Sequence, residues 1–188
     1  MTACPSSPNY FADWLSATCV SVCPETATTK YYADSSTRTC VDTCPTVNGT
    51  ATYRDAVLRT CVEVCSGNQF ADPSTGDCVQ SCPGSPDLFG QVSIKTCVLG
   101  CNATEDTWAE NITRLCVHEC PAGSYADNLT QRCVALCPVS LLTYGDNSTH
   151  RCVLKCPSLP SYYADNRTQT CVQMCSYYTY GTPVTRVC

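Results

Sequence analysis

Apolar residues along this chain come in short clusters separated by polar stretches rich in Thr, Ser, Asn and Asp. No segment keeps a 3.6-residue apolar period over two turns, so almost no helix is expected. What recurs is a spacing. Nine times the sequence reads Cys-Val-x-x-Cys, at Cys19–Cys23, Cys40–Cys44, Cys61–Cys65, Cys78–Cys82, Cys97–Cys101, Cys116–Cys120, Cys133–Cys137, Cys152–Cys156 and Cys171–Cys175, and Pro usually follows the second cysteine. Eight residues before each closing cysteine stands an aromatic: Phe11, Tyr32, Tyr53, Phe70, Phe89, Trp108, Tyr125, Tyr144, Tyr163 and Tyr180. Six before it there is usually an acid, as in Asp34 or Asp165, and three before it usually a Thr.

This pattern predicts a hairpin in each repeat. One short strand carries the aromatic, a polar Asp-Asn-x-Thr stretch makes a side-chain-assisted turn, and a second short strand runs through the cysteine and Val. The chain then reads as one continuous tandem array over 1–188, with modules 1 to 10 at about 4–19, 23–40, 44–61, 65–78, 82–97, 101–116, 120–133, 137–152, 156–171 and 175–188. The expected fold class is small, disulfide-rich and irregular all-β, an elongated solenoid of ten single-disulfide hairpins. A lone hairpin of this size is unstable in water, so the disulfide and the stacking of neighbours must supply what it lacks. One module advances at most by the four-residue connection, about 14 Å at 3.3–3.6 Å per residue, which puts a ceiling of about 140 Å on ten.

Composition changes the picture in one respect: 20 cysteines in 188 residues place the chain among disulfide scaffolds of oxidising compartments. An extracellular or cell-surface protein of the secretory pathway is expected. Charged residues are 14% and the net charge of −5 shows no basic patch, which argues against nucleic acid as a partner. The longest apolar runs are a few residues, far short of the roughly 20 needed to span a bilayer, so no membrane insertion is expected. Met1-Thr2-Ala3 leads directly into Cys4-Pro5 without a signal-peptide pattern, which suits a mature chain or an excerpt of a longer array.

Ten pairs drawn from 20 cysteines are not fixed by sequence alone. If each module closes its own loop, the bonds are Cys4–Cys19, Cys23–Cys40, Cys44–Cys61, Cys65–Cys78, Cys82–Cys97, Cys101–Cys116, Cys120–Cys133, Cys137–Cys152, Cys156–Cys171 and Cys175–Cys188, which uses every cysteine. The rival scheme bonds within each Cys-x-x-x-Cys; it strands Cys4 and Cys188 and closes loops too short to organise much. Cys-Val-x-x-Cys-Pro, then an aromatic, then Cys-Val-x-x-Cys resembles the single-disulfide modules of growth-factor-receptor, or furin-like, cysteine-rich regions. The Tyr-Ala-Asp-Asn-x-Thr version, as in Tyr163 to Thr168, is similar to tandem cysteine-rich surface proteins of ciliates and other protists. The resemblance implies the loop-closing pairing and a rod. It specifies no ligand, and the extra cysteine pairs of the two-disulfide receptor modules are missing here.

Six Asn-x-Thr sequons occur, at Asn48, Asn102, Asn111, Asn128, Asn147 and Asn166. The last four share one place, five residues before the closing cysteine, on the expected turn. N-linked glycans are expected there in a secreted chain, with O-glycans on some of the many Thr and Ser. The competing reading is that Asn simply suits a turn. No catalytic, metal or cofactor site is expected, nor a small-molecule substrate. Zinc wants cysteine pairs gathered in fours, and the two histidines, His118 and His150, stand in no motif. Redox chemistry favours Cys-x-x-Cys, which is missing. One carboxylate per module gives calcium too few oxygens, so the repeating acids are read as turn caps, and the aromatics as the core of each hairpin.

The function expected is structural: a glycosylated extracellular rod forming a cell-surface stalk or filament. Neighbouring copies of the same array are the expected partners, arranged head to tail, since joining Cys188 to Met1-Thr2-Ala3-Cys4 restores the repeat spacing. A ligand-binding or adhesive ectodomain and a surface-coat antigen are the alternatives. Successive closing cysteines step by 21, 21, 17, 19, 19, 17, 19, 19 and 17 residues. Every third module is therefore short, and a solenoid turning about 120° per module would bring the short loops to one face. Duplication of a three-module unit is the other explanation.

Overall fold

The structure, a computed structural model, describes residues 4–5, 9–176, 179–182 and 184–188. Nearly all of its regular structure is β, with 20 short strands and only two single turns of 3₁₀ helix, Ala103–Glu105 and Val139–Leu141. The Met1-Thr2-Ala3 segment of the head-to-tail join lies outside the described residues.

Modules 1 to 9 each form one antiparallel hairpin of two three-residue strands. In module 2, Tyr32–Asp34 pairs with Thr39–Val41, so that Tyr32 faces Val41 and Ala33 faces Cys40. The same register recurs from Phe11–Asp13 with Thr18–Val20 to Tyr163–Asp165 with Thr170–Val172. Four residues connect the strands, closed in module 2 by the Arg38 N–H donating to the Asp34 carbonyl at 2.9 Å. The residue that ends this turn is left-handed, with φ of 60° at Arg38, 59° at Arg59 and 53° at His150. Only module 4 uses glycine there, Gly76. An additional small hairpin, Thr46–Val47 with Thr50–Ala51, fills the long loop of module 3, and Asn48-Gly49 makes its turn with positive φ at both residues.

Ten disulfides join Cys4–Cys19, Cys23–Cys40, Cys44–Cys61, Cys65–Cys78, Cys82–Cys97, Cys101–Cys116, Cys120–Cys133, Cys137–Cys152, Cys156–Cys171 and Cys175–Cys188, so each module closes on itself.

The chain divides into two compact units, Met1–Leu99 and Gly100–Cys188. In the first, the opening strand of each module pairs in parallel with the closing strand of the next: Ala12 with Thr39, Ala33 with Thr60, Arg54 with Asp77, Ala71 with Thr96. Antiparallel pairing within modules and parallel pairing between them thus make one ladder of hairpins. The second unit repeats the scheme, with Ala109 on Arg132, Ala126 on Arg151, Gly145 on Thr170 and Ala164 on Val187. Two strands per module at about 4.8 Å spacing give an advance of about 10 Å per module within a unit, below the ceiling set by the connecting residues.

This pairing fixes which way each ring points. Directly paired residues share a face and successive residues alternate. Ala12 therefore shares a face with Thr39 and, through the hairpin of module 2, with Asp34 and Tyr32. Phe11 lies on the other face, with Cys40 and Ala33. Within each unit the rings of successive modules occupy opposite faces of the sheet, and those of alternate modules share one.

Candidate functional site

The joint between successive modules is the feature the chain repeats, and it is built from four residue positions. The aromatic of one module does not pack inside its own hairpin alone. It lies on the disulfide of the next module and on the small residue that follows the next aromatic. Phe11 clusters with Cys23, Ala33 and Cys40, Tyr53 with Cys65, Ala71 and Cys78, Trp108 with Cys120 and Ala126, and Tyr144 with Cys156, Ala164 and Cys171. Phe89 and Trp108 are almost wholly enclosed, at 0% and 1% exposure. Two joints are tighter still. A β-carbon on Gly145 would stand 2.5 Å from the Tyr125 ring, and one on Gly181 equally close to Tyr163.

Backbone bonds lock the same joint. The N–H at the small position donates to the carbonyl of the left-handed residue of the next module, as Ala12 to Arg38 at 2.9 Å, Ala126 to His150 at 2.8 Å and Ala164 to Arg186 at 2.8 Å. At three modules that residue is an Arg whose side chain folds back over the preceding ring. Arg38 stands 5.1 Å from the Phe11 centroid, Arg59 5.6 Å from Tyr32 and Arg186 5.8 Å from Tyr163. Arg59 also donates to the carbonyls of Cys23, Pro24 and Tyr31 and pairs with Glu25 at 2.8 Å. Each such guanidinium therefore clamps the opening loop of the module before it.

Module 3 departs from the pattern by placing Arg54 at the small position. The longer side chain reaches module 4 and pairs with Asp77, Nε to Oδ1 at 2.7 Å and Nη2 to Oδ2 at 3.0 Å. In the second unit Arg151 spans two modules, 4.5 Å above the Trp108 ring and 2.6 Å from Asp106. That reach requires alternate modules to share a face.

The repeating acids are buried turn caps. Asp34 accepts from the N–H groups of Ser36 and Thr37 and from both hydroxyls, and Asp72, Glu110 and Asp146 do the same work in their turns. Burial pushes the Asp34 carboxyl up, but the hydrogen bonds from Thr37 and Ser36 together outweigh it and its pKa lies below the ordinary carboxylate value. Asp55, Asp72, Glu110 and Asp146 behave alike, and Asp13 is lowered first by the Ser16 hydroxyl. Where Ser replaces the Pro after a second cysteine, it too joins the turn: Ser66 donates to Asp55 and Ser176 to Asp165.

All six sequon asparagines are exposed. Three of the four at the shared turn position complete a joint. Trp108 Nε1 donates to Asn128 Oδ1 at 3.2 Å, and the Tyr125 and Tyr144 hydroxyls donate to Asn147 and Asn166 Oδ1 at 2.6 Å. The amide nitrogen, the atom that carries an N-glycan, is not used in these bonds. The Asn111 Oδ1 lies 3.5 Å from Arg132 Nη1. Asn102 caps the first 3₁₀ turn by accepting from Thr104, and Asn48 sits in the small hairpin's turn.

His118 and His150 line one open cleft of about 590 Å³ with Asp106, Trp108, Glu119 and Arg151. Among the described residues no three His, Cys, Asp or Glu side chains form a metal-holding group, and no helix is long and apolar enough to cross a membrane.

Sequence reasoning missed the small position, although Ala12, Ala33, Ala71, Gly90, Ala109, Ala126, Gly145, Ala164 and Gly181 were visible as a column. It also missed the arginine clamps, whose signal was a basic residue two before the closing cysteine. Comparison with protein-family models, curated proteins and solved structures finds no match.

Proposed function

We propose that the chain is a structural glycoprotein of the cell exterior, a stalk or filament element made of mechanically coupled modules. What carries this reading is the joint: the same ring-on-disulfide contact and the same inter-module backbone bond recur along both units, an arrangement suited to bearing load along the ladder. Ten disulfides fit an oxidising compartment. The sequon asparagines stand exposed, which favours glycans at Asn111, Asn128, Asn147 and Asn166 along with Asn48 and Asn102. The likeness to furin-like and protist surface repeats points the same way.

A second reading, an adhesive ectodomain, is favoured by the exposed apolar turn tips of modules 1, 3 and 5: Trp14 and Leu15, Val57 and Leu58, Val92 and Ile94. Expression through a eukaryotic secretory pathway tests the structural reading. The expected product is secreted, free of stoichiometric thiols, and loses mass on N-glycosidase treatment. Retention with free thiols would sink it. Binding to cell surfaces that is abolished by polar substitution of the six turn-tip residues would move the assignment to adhesion.

A further inference from the structure

Sequons of the second unit serve the folded chain twice. In Asn128-Leu129-Thr130 and Asn147-Ser148-Thr149 the Thr hydroxyl donates to the buried carboxylate of its own turn, to Asp127 at 2.7 Å and to Asp146 at 2.8 Å. The Asn of the same sequon accepts from the polar tip of the preceding module's ring, Trp108 or Tyr125, and Asn166 accepts from Tyr144 in the same way. Strand direction brings these groups together. Tyr125–Asp127 runs parallel to Arg151–Val153, which is antiparallel to Tyr144–Asp146. The opening strands of modules 7 and 8 therefore run in opposite directions, and the turn that ends one lies level with the ring that begins the other. The three rings are buried, whereas the three asparagines are exposed. Each asparagine is thus held at its oxygen by a partner packed in the joint.

We propose that these ring tips are anchors for the N-glycans at Asn128, Asn147 and Asn166, holding the first sugar of each in one direction at the joint between modules. An N-glycan replaces one hydrogen of Nδ2 and leaves Oδ1 to go on accepting from the ring. The side-chain amide is planar by the resonance that flattens a peptide bond. With Oδ1 held by the ring and the backbone held by the turn, the bond from Nδ2 to the sugar has one aim. Asn48, at the tip of the small hairpin of module 3, receives no ring, so its side-chain torsions leave its sugar free to swing. The turns of modules 7 and 9 leave one edge of the sheet and that of module 8 leaves the other, because the opening strands alternate in direction. The anchored sugars therefore stand on both edges of the second unit in alternation, each fixed to a joint, where they act as rigid spacers along the stalk.

This inference rests on the glycoprotein reading above, and NMR relaxation of the secreted, isotope-labelled, glycosylated chain tests it. The probe is the single N–H that each linked Nδ2 retains. At Asn128, Asn147 and Asn166 its order parameter is expected near the rigid-backbone value of about 0.85, and at Asn48 below about 0.6. Tyr125→Phe keeps the ring in the joint and removes only the hydroxyl; it lowers the order parameter at Asn147 and leaves Asn166 unchanged. Tyr144→Phe does the reverse. Unchanged disulfides by non-reduced peptide mapping, and unchanged glycan mass, establish that both variants fold and are modified as the native chain is. Order at Asn147 and Asn166 no higher than at Asn48, or order that survives loss of the hydroxyl, overturns the inference while the glycans themselves still support a glycoprotein. A secreted chain that loses no mass on N-glycosidase treatment instead removes the reading on which the inference rests, and the inference with it.

Discussion

A β-carbon at position 145 would stand 2.5 Å from ring carbons of Tyr125, and the ring is held from its other end by Asn147. Gly145→Ala is therefore expected to cost about 1–3 kcal/mol of local stability by overpacking. Faster amide exchange at Gly145 and Ala126 would report it, with Gly84→Ala as a neutral control, since nothing lies within 4 Å of that site. The buried carboxylates make the turns sensitive to acid. Asp34, Asp55, Asp72, Glu110 and Asp146 all have folded pKa values below their ordinary ones. Their stabilisation is complete above the ordinary carboxylate range and is lost as pH falls through the lower folded values. Amide protection at Ser36 and Thr37 is expected to collapse reversibly on acidification, while Asp34→Asn weakens the same turn at neutral pH and removes most of that dependence. Protection unchanged down to pH about 2, well below the usual carboxylate range, would show that the caps contribute little.

No hairpin of two three-residue strands buries enough to stand alone, so the element depends on its neighbour. Its share of that support is concentrated at the left-handed turn residue, which gives a carbonyl to the preceding strand and, where it is Arg, a guanidinium to the preceding loop. Arg59→Ala removes the stacking on Tyr32 and three carbonyl contacts. It is expected to cost about 1–3 kcal/mol, seen as loosening of module 2 more than of module 3. Hydrogen exchange resolved by module measures this directly. Arg59→Lys should recover only part of the loss, because an ammonium lacks the planar fork. Equal loosening of both modules would mean that the side chain acts on its own hairpin.

Stability in an array of this kind is a sum of module and nearest-neighbour terms. Removing one disulfide should therefore act locally. Replacing Cys65 and Cys78 together by Ser opens a loop of sequence separation 13 and is expected to cost about 3 kcal/mol. It also removes the floor on which Tyr53 packs. Limited proteolysis should cut modules 3 to 5 first and leave module 1 protected. Simultaneous loss of all five modules in that unit would show long-range cooperativity in place of pairwise coupling.

Much of this was legible in the sequence because the repeat is local. Strand, turn and cysteine positions follow from spacing within 13 to 17 residues, and the Asp-to-Thr capping of each turn spans three. The joint was not legible, because a spacing within one module does not say which neighbour a side chain meets. That Phe11 lies on Ala33, that Tyr125 reaches Asn147, and that Arg151 returns two modules to Trp108 depend on parallel pairing between modules. The alternation of ring faces within each unit follows from the same pairing. The sequence by itself determined the hairpins and their caps through short-range stereochemistry. The tertiary structure alone decided how they couple, because one parallel register between strands of different modules sets every face at once.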